Sequence, residues 1–125
     1  MQKTIETLGG KTVELNPADV GTMERLEEAV KVSSKSFRTL SKKIAKMTAD
    51  TVDIAVLKTM CETVRTFTDT LFGEGTANRL FADNNDVEEL VSFYSDVLTA
   101  FDDEGNRLTD VLTKMWSVGG TDDSK

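Results

Sequence analysis

Apolar residues in this chain recur in alternating steps of three and four, and a single proline interrupts 125 residues. Met23, Leu26, Val30, Ser33, Phe37, Leu40, Ile44 and Met47 keep that spacing, with one polar break at Ser33. Leu57, Met60, Val64, Phe67 and Leu71 repeat it. So do Val87, Leu90, Tyr94, Val97 and Phe101, and the pattern runs on through Glu104 to Leu108, Val111 and Met115. An apolar stripe of this period is one face of an α-helix, since 3.6 residues per turn bring positions three and four apart onto one side. Three such stripes predict a mainly α fold, a bundle of three long helices, with Leu40, Ile44, Leu57, Val64, Tyr94 and Val97 in the core.

The helix ends follow from capping chemistry. Asn16 is placed to cap, Pro17 suits a first helical position and Asp19 the positive dipole end, which sets a helix over about 17–47, straight or bent at Ser33-Ser34. Asp50 is placed to cap a second helix over about 51–72, closed by Gly73 in a left-handed C′ position. A short helical turn over 76–81 fits between the glycines and the next cap. Asn85, with Glu88 three residues on, resembles a capping box for a third helix over about 86–116. The run Asp102-Asp103-Glu104-Gly105-Asn106 weakens that helix, so a break competes with continuity. At 1.5 Å per residue the first and third helices each reach roughly 45 Å, so they either bend or protrude and pack against other subunits.

Ahead of the helices, Thr4-Ile5-Glu6-Thr7-Leu8 and Lys11-Thr12-Val13-Glu14-Leu15 flank Gly9-Gly10. This reads as a small N-terminal β-hairpin over 3–15 with the two glycines as a two-residue turn. Isolated hairpins are marginal in water, so it must lean on the helices or on another chain. The expected organisation is one helical domain over 1–117 and a disordered tail over 118–125. No apolar run reaches the 18 residues needed to span a membrane, and the first residues lack the apolar core of a signal peptide. A single cysteine, Cys61, fits a reducing cytosol.

Catalysis finds little here. Histidine is absent, which removes the commonest general base and transition-metal ligand. Cys61 has Lys58 as its one basic neighbour a turn back and reads as a small buried hydrophobe. Gly73-Glu74-Gly75-Thr76 lacks the Lys-Ser/Thr of a phosphate loop, and its glycines read as a helix stop. Neither Asp83–Glu88 nor Asp102–Asn106 matches a calcium loop. No catalytic, cofactor or metal residue is therefore expected.

Charge is more informative. The net charge is −7, which argues against nucleic acid as a partner, because phosphate binding needs a positive footprint. The first 30 residues hold six acids and three bases, residues 31–46 hold six bases and no acid, and the rest hold sixteen acids and six bases. Within the basic island Lys31, Lys35, Arg38, Lys42 and Lys46 advance by about one turn each, forming a stripe. It serves either to pair with the acidic third helix of its own chain or to meet a partner, since exposed charges select orientation more than they add affinity. Trp116, late on the third helix, is either a core lid or a binding anchor. These six residues are the candidate partner-binding set. Self-association is expected, because the stripes exceed the needs of one small domain and opposite charges lie on different helices.

The order of parts resembles a known family. The Gly-Gly hairpin, the Leu15-Asn16-Pro17 lead-in to a long helix and the stretch Leu71-Phe72-Gly73-Glu74-Gly75-Thr76-Ala77-Asn78-Arg79-Leu80-Phe81-Ala82-Asp83-Asn84-Asn85-Asp86 are similar to those of small tail assembly chaperones of long-tailed bacteriophages and prophages, mainly of low-GC Gram-positive hosts. The likeness covers residues 3 to about 101, and the segment from Asp102 to Trp116 lies outside it. It implies a non-enzymatic protein in the cytoplasm of the bacterial host that binds the tape-measure protein, and sometimes tail-tube subunits, and is absent from the finished virion. Such proteins are often made in a short and a frameshifted long form, and an end soon after the third helix suits the short one. The competing expectation is a small acidic phage-encoded inhibitor, or another phage structural protein, that also acts by protein–protein binding.

Overall fold

The computed structural model describes the backbone of residues 2–119 and the side chains of residues 2–114. It is mainly helical, with a small antiparallel hairpin at the N-terminus. Strands β1 (Lys3–Glu6) and β2 (Thr12–Leu15) precede helices α1 (Val20–Ile44), α2 (Ile54–Phe72), α3 (Thr76–Phe81) and α4 (Val87–Gly119). Among the described residues no helix is long and apolar enough to cross a membrane.

The hairpin departs from the two-residue Gly-Gly turn. Ile5 pairs with Val13 and Glu6 with Thr12, which leaves Leu8, Gly9 and Gly10 as the loop between Thr7 and Lys11. Gly10 alone of the two glycines takes a positive φ, +88°, as expected of a three-residue hairpin loop. Cross-strand partners share a face, so this register sets Ile5 beside Val13 on the core side. The two-residue turn would have set Ile5 opposite Glu14.

Helices α1 and α2 each begin three residues later than their sequence suggests and α4 one residue later, because a different side chain caps each. Asp19 accepts from the Thr22 N–H at 2.9 Å and opens α1, while Asn16 instead holds a turn through the Ala18 N–H. Pro17 is buried in that turn. Asp53, not Asp50, caps α2 through Ala55 and Val56. Asp86 accepts from the Glu89 N–H at 3.0 Å and opens α4, because Asn85 is engaged elsewhere. Gly73 closes α2 with a φ of +115° that side chains rarely adopt.

α1 stays helical through Ser33-Ser34, and Ser33 is fully buried with its hydroxyl donating to the Val30 carbonyl. α4 likewise runs unbroken through Gly105 to Gly119. The tail expected over 118–125 lies, from residue 120, outside the described residues.

The main core joins Ile5, Val13 and Leu15 of the hairpin to Ala29 of α1, to Val64, Phe67 and Leu71 of α2, to Leu80 and Phe81 of α3, and to Leu90, Phe93 and Val97 of α4. A smaller cluster, Leu40, Val56 and Met60, closes the far end of α1 and α2. Of the six core positions named from periodicity, Leu40, Val64 and Val97 are buried, whereas Ile44, Leu57 and Tyr94 are half-buried. Ile44 and Leu57 flank the smaller cluster, which has fewer layers around it.

Two polar clamps tie the elements together. Arg65 of α2 donates to the carbonyls of Ala82 and Asn84 and to Asn85 Oδ1, each at 2.8 Å, which anchors the loop between α3 and α4. The buried Glu89 carboxylate accepts from the Gly9 N–H at 3.1 Å and from Asn84 Nδ2 at 2.9 Å, so one side chain joins the hairpin tip, that loop and α4. A Cβ on Gly9 would stand 2.8 Å from Glu89 Oε2, so glycine is needed there for close approach.

Candidate partner-binding surface

α1 and α2 run antiparallel and pack together, Ala29 in the cluster of Val64 and Phe67 and Leu40 in that of Val56 and Met60. Between the two helices lies an open groove of about 510 Å³, walled by Val32, Lys35, Ser36, Thr39, Leu40 and Lys43 of α1 and by Ala55, Val56 and Thr59 of α2, with the cap Asp53 at one end. It continues along the same helices past Ser36, Glu62, Thr63 and Thr66. No described residue of α4 lines either part.

Four hydroxyls of this groove are engaged. Thr39 donates to the Lys35 carbonyl, Thr59 to Ala55 and Thr63 to Thr59, and Ser36 and Thr63 share a hydrogen bond of 2.9 Å. A hydroxyl already spent on its own helix offers a partner its carbon atoms more than a donor. Val32 and, just beyond the groove, Val52 and Ile54 add exposed apolar surface.

Lys31, Lys35, Arg38, Lys42 and Lys46 are all exposed. Lys35 lines the groove, and Lys31, Arg38, Lys42 and Lys46 do not. Lys43, which the stripe of five left out, does line it. The helical turn explains the exchange, because Lys43 falls on the edge of α1 shared with Val32, Ser36 and Thr39, one edge away from the stripe. Volume between two helices is a tertiary property, and spacing along one helix carries no sign of it.

Among the described residues no cation of this set forms an ion pair with α4. α1 meets α4 through Phe37 and Tyr94, whose ring centroids are 4.7 Å apart, and the turn of α1 carries the stripe away from that contact. Among the described residues the one ion pair joins Arg107 to Glu104, within α4. Six positive charges therefore stand on one edge and outer face of the α1/α2 pair without an acidic partner among those residues. Trp116 lies on α4, but its side chain falls outside the described residues.

Among the described residues no three His, Cys, Asp or Glu side chains stand together as a metal site would require. Cys61 is buried in the main core, its Sγ 3.6 Å from the Asn85 carbonyl. Burial pushes its thiol pKa up, against a smaller downward pull from Arg65. A raised pKa and a closed site both suppress thiolate attack. Cys61 is therefore expected to resist a thiol-reactive dye in native buffer and to react with one equivalent in denaturant. Fast labelling of the native protein, read by absorbance, would contradict this.

A family model described as a family of unknown function (DUF6673) matches residues 9–119. No curated protein and no solved structure matches the chain.

Proposed function

The chain belongs to DUF6673, a family of unknown function, and we propose that it is a non-enzymatic tail assembly chaperone that binds the phage tape-measure protein in the bacterial cytoplasm. In this reading α1, α2 and α4 act as a bundle of three long helices, and the α1/α2 edge receives a helical segment of the client. The open groove beside exposed cations carries the proposal. An amphipathic helix seats its apolar face in a groove by residues spaced i, i+3 and i+4, and Val32, Leu40, Ala55 and Val56 supply the apolar wall. Lys35 and Lys43 at the rim, with the stripe behind them, favour a client bearing acids and speed its encounter. Contacts of this kind are individually modest, which suits a chaperone that must release what it holds. The resemblance of residues 3 to about 101 to tail assembly chaperones supplies the identity of the client.

Co-expression with the tape-measure protein tests the reading. The client should become more soluble, and a complex should be recovered at low salt and lost as salt rises. Reversing the rim charges, Lys35→Glu with Lys43→Glu, should weaken capture by about tenfold, the sum of two exposed charge contacts. A client equally soluble with and without the chain, with no complex at low salt, would remove the chaperone reading. The alternative is then an inhibitor whose net charge of −7 engages a basic host protein.

A further inference from the structure

Charge on the outer face of α1 is segregated along its length. Glu24, Glu28, Lys31 and Lys35 advance by alternate steps of four and three residues, so they form one row within about 60° of each other around the helix axis. Leu40 and Phe37, through which α1 packs on the rest of the chain, lie about 150° away from the middle of that row. All four charged residues are exposed, and among the described residues none of their side chains forms an ion pair. Within a single helix this order is unfavourable, because Glu24 and Glu28 are like charges one turn apart, as are Lys31 and Lys35. We propose that a second copy of the chain docks on this row, α1 against α1 and antiparallel, with a two-fold axis between Glu28 and Lys31.

The order of the charges selects both the partner and its direction. About such an axis Glu28 meets Lys31 of the second copy and Glu24 meets its Lys35, and the symmetry repeats both contacts. A parallel copy would set glutamate on glutamate and lysine on lysine. Beyond the overlap, Gly21 and Pro17 of the second copy fall opposite Arg38 and Lys42, so these cations and Lys46 gain no acid from the dimer. Lys35 alone of the row also lines the groove. α4 is likewise exposed from Gly105 to Lys114, apart from the half-buried Leu108, but its outer charges are ordered differently. There Asp103 and Arg107, like Asp110 and Lys114, set opposite charges one turn apart, so that helix settles its charge along its own length. Exposed ion pairs are individually weak and are screened by salt, so the α1 dimer forms at low ionic strength and exchanges readily.

Charge exchange between full-length variants tests it, read by sedimentation with circular dichroism to verify that each variant is helical. The native protein should associate at low salt and dissociate as salt rises. Glu24→Lys with Glu28→Lys leaves a row of four bases, and Lys31→Glu with Lys35→Glu a row of four acids. Each should raise the association midpoint by about tenfold or more, and mixing the two should restore association. Exchanging all four, Glu24→Lys, Glu28→Lys, Lys31→Glu and Lys35→Glu, keeps the net charge and should restore self-association in one chain. A carbodiimide, which joins a carboxylate directly to an amine, reports the direction. It should link Glu24 to Lys35 only between copies, since eleven residues of helix hold them roughly 16 Å apart within one. A native protein that stays monomeric at high concentration and low salt would overturn the proposal. So would four-base and four-acid variants that associate like the native chain, a fourfold exchange that stays monomeric, or a dimer without the Glu24–Lys35 link. No tape-measure protein enters these measurements, so the dimer stands or falls apart from client capture.

Discussion

Phe67→Ala is expected to be the most destabilising single truncation on α2, costing about 3–5 kcal/mol and lowering the melting temperature by roughly 10–20 °C. Phe67 has no exposed surface, and its ring meets Tyr94 edge-on with centroids 4.8 Å apart. Tyr94 in turn contacts Phe37, so one aromatic ring ties α2 to α4 and, through it, to α1. Removing the ring opens a cavity where these helices meet, and neighbours held by their own backbones fill it only in part. Leu57→Ala, by contrast, truncates a half-buried side chain beside the smaller cluster and should cost less than about 2 kcal/mol. Chemical denaturation of both variants checks the pair. Equal losses would mean that the two clusters are equally well packed.

Glu89→Ala should cost about 2–3 kcal/mol, with the loss concentrated in the hairpin, since two hydrogen bonds to a buried carboxylate disappear together. The Gly9 N–H and Asn84 Nδ2 would each lose an acceptor, and the hairpin tip would lose its link to α4. Amide exchange in β1 and β2 should then accelerate more than exchange in the centre of α2. Gly9→Ala approaches the same contact from the other side. Its Cβ would force the Glu89 carboxylate off both partners, at a cost of about 1–2 kcal/mol. In a Glu89→Ala background that cost should largely vanish. Such coupling in a double-mutant cycle assigns the effect to the carboxylate, whereas additive losses would place it in the turn.

The sequence by itself determined the helices and their faces. Alternating three- and four-residue steps are a property of one helix turning in space, so Leu40, Val64, Phe67, Leu90 and Val97 were legible as inward positions without knowledge of their partners. The absence of histidine and the basic island at 31–46 were equally plain. The hairpin was legible too, but its register was not, because pairing Ile5 with Val13 takes a three-residue loop. The Gly-Gly signal masked it, since Gly9 answers to Glu89 eighty residues away and not to the turn.

Only the tertiary structure decided the rest. Several polar side chains near each helix start can serve as its cap, and the one that does depends on where the chain arrives from the preceding element. Asn85, a sound cap by spacing, is taken by Arg65 of another helix, and Asp86 caps instead. Periodicity ranks residues by direction but not by depth, so Ala29 and Ser33 lie fully buried on α1 while Val30, on the apolar stripe, is 36% exposed. The groove, the exchange of Lys43 for most of the stripe along its wall, and the uncovered second half of α4 are relations between elements. A stripe shows that a helix has a face to bury, and only the packing of the other elements shows how much of that face the chain itself can cover.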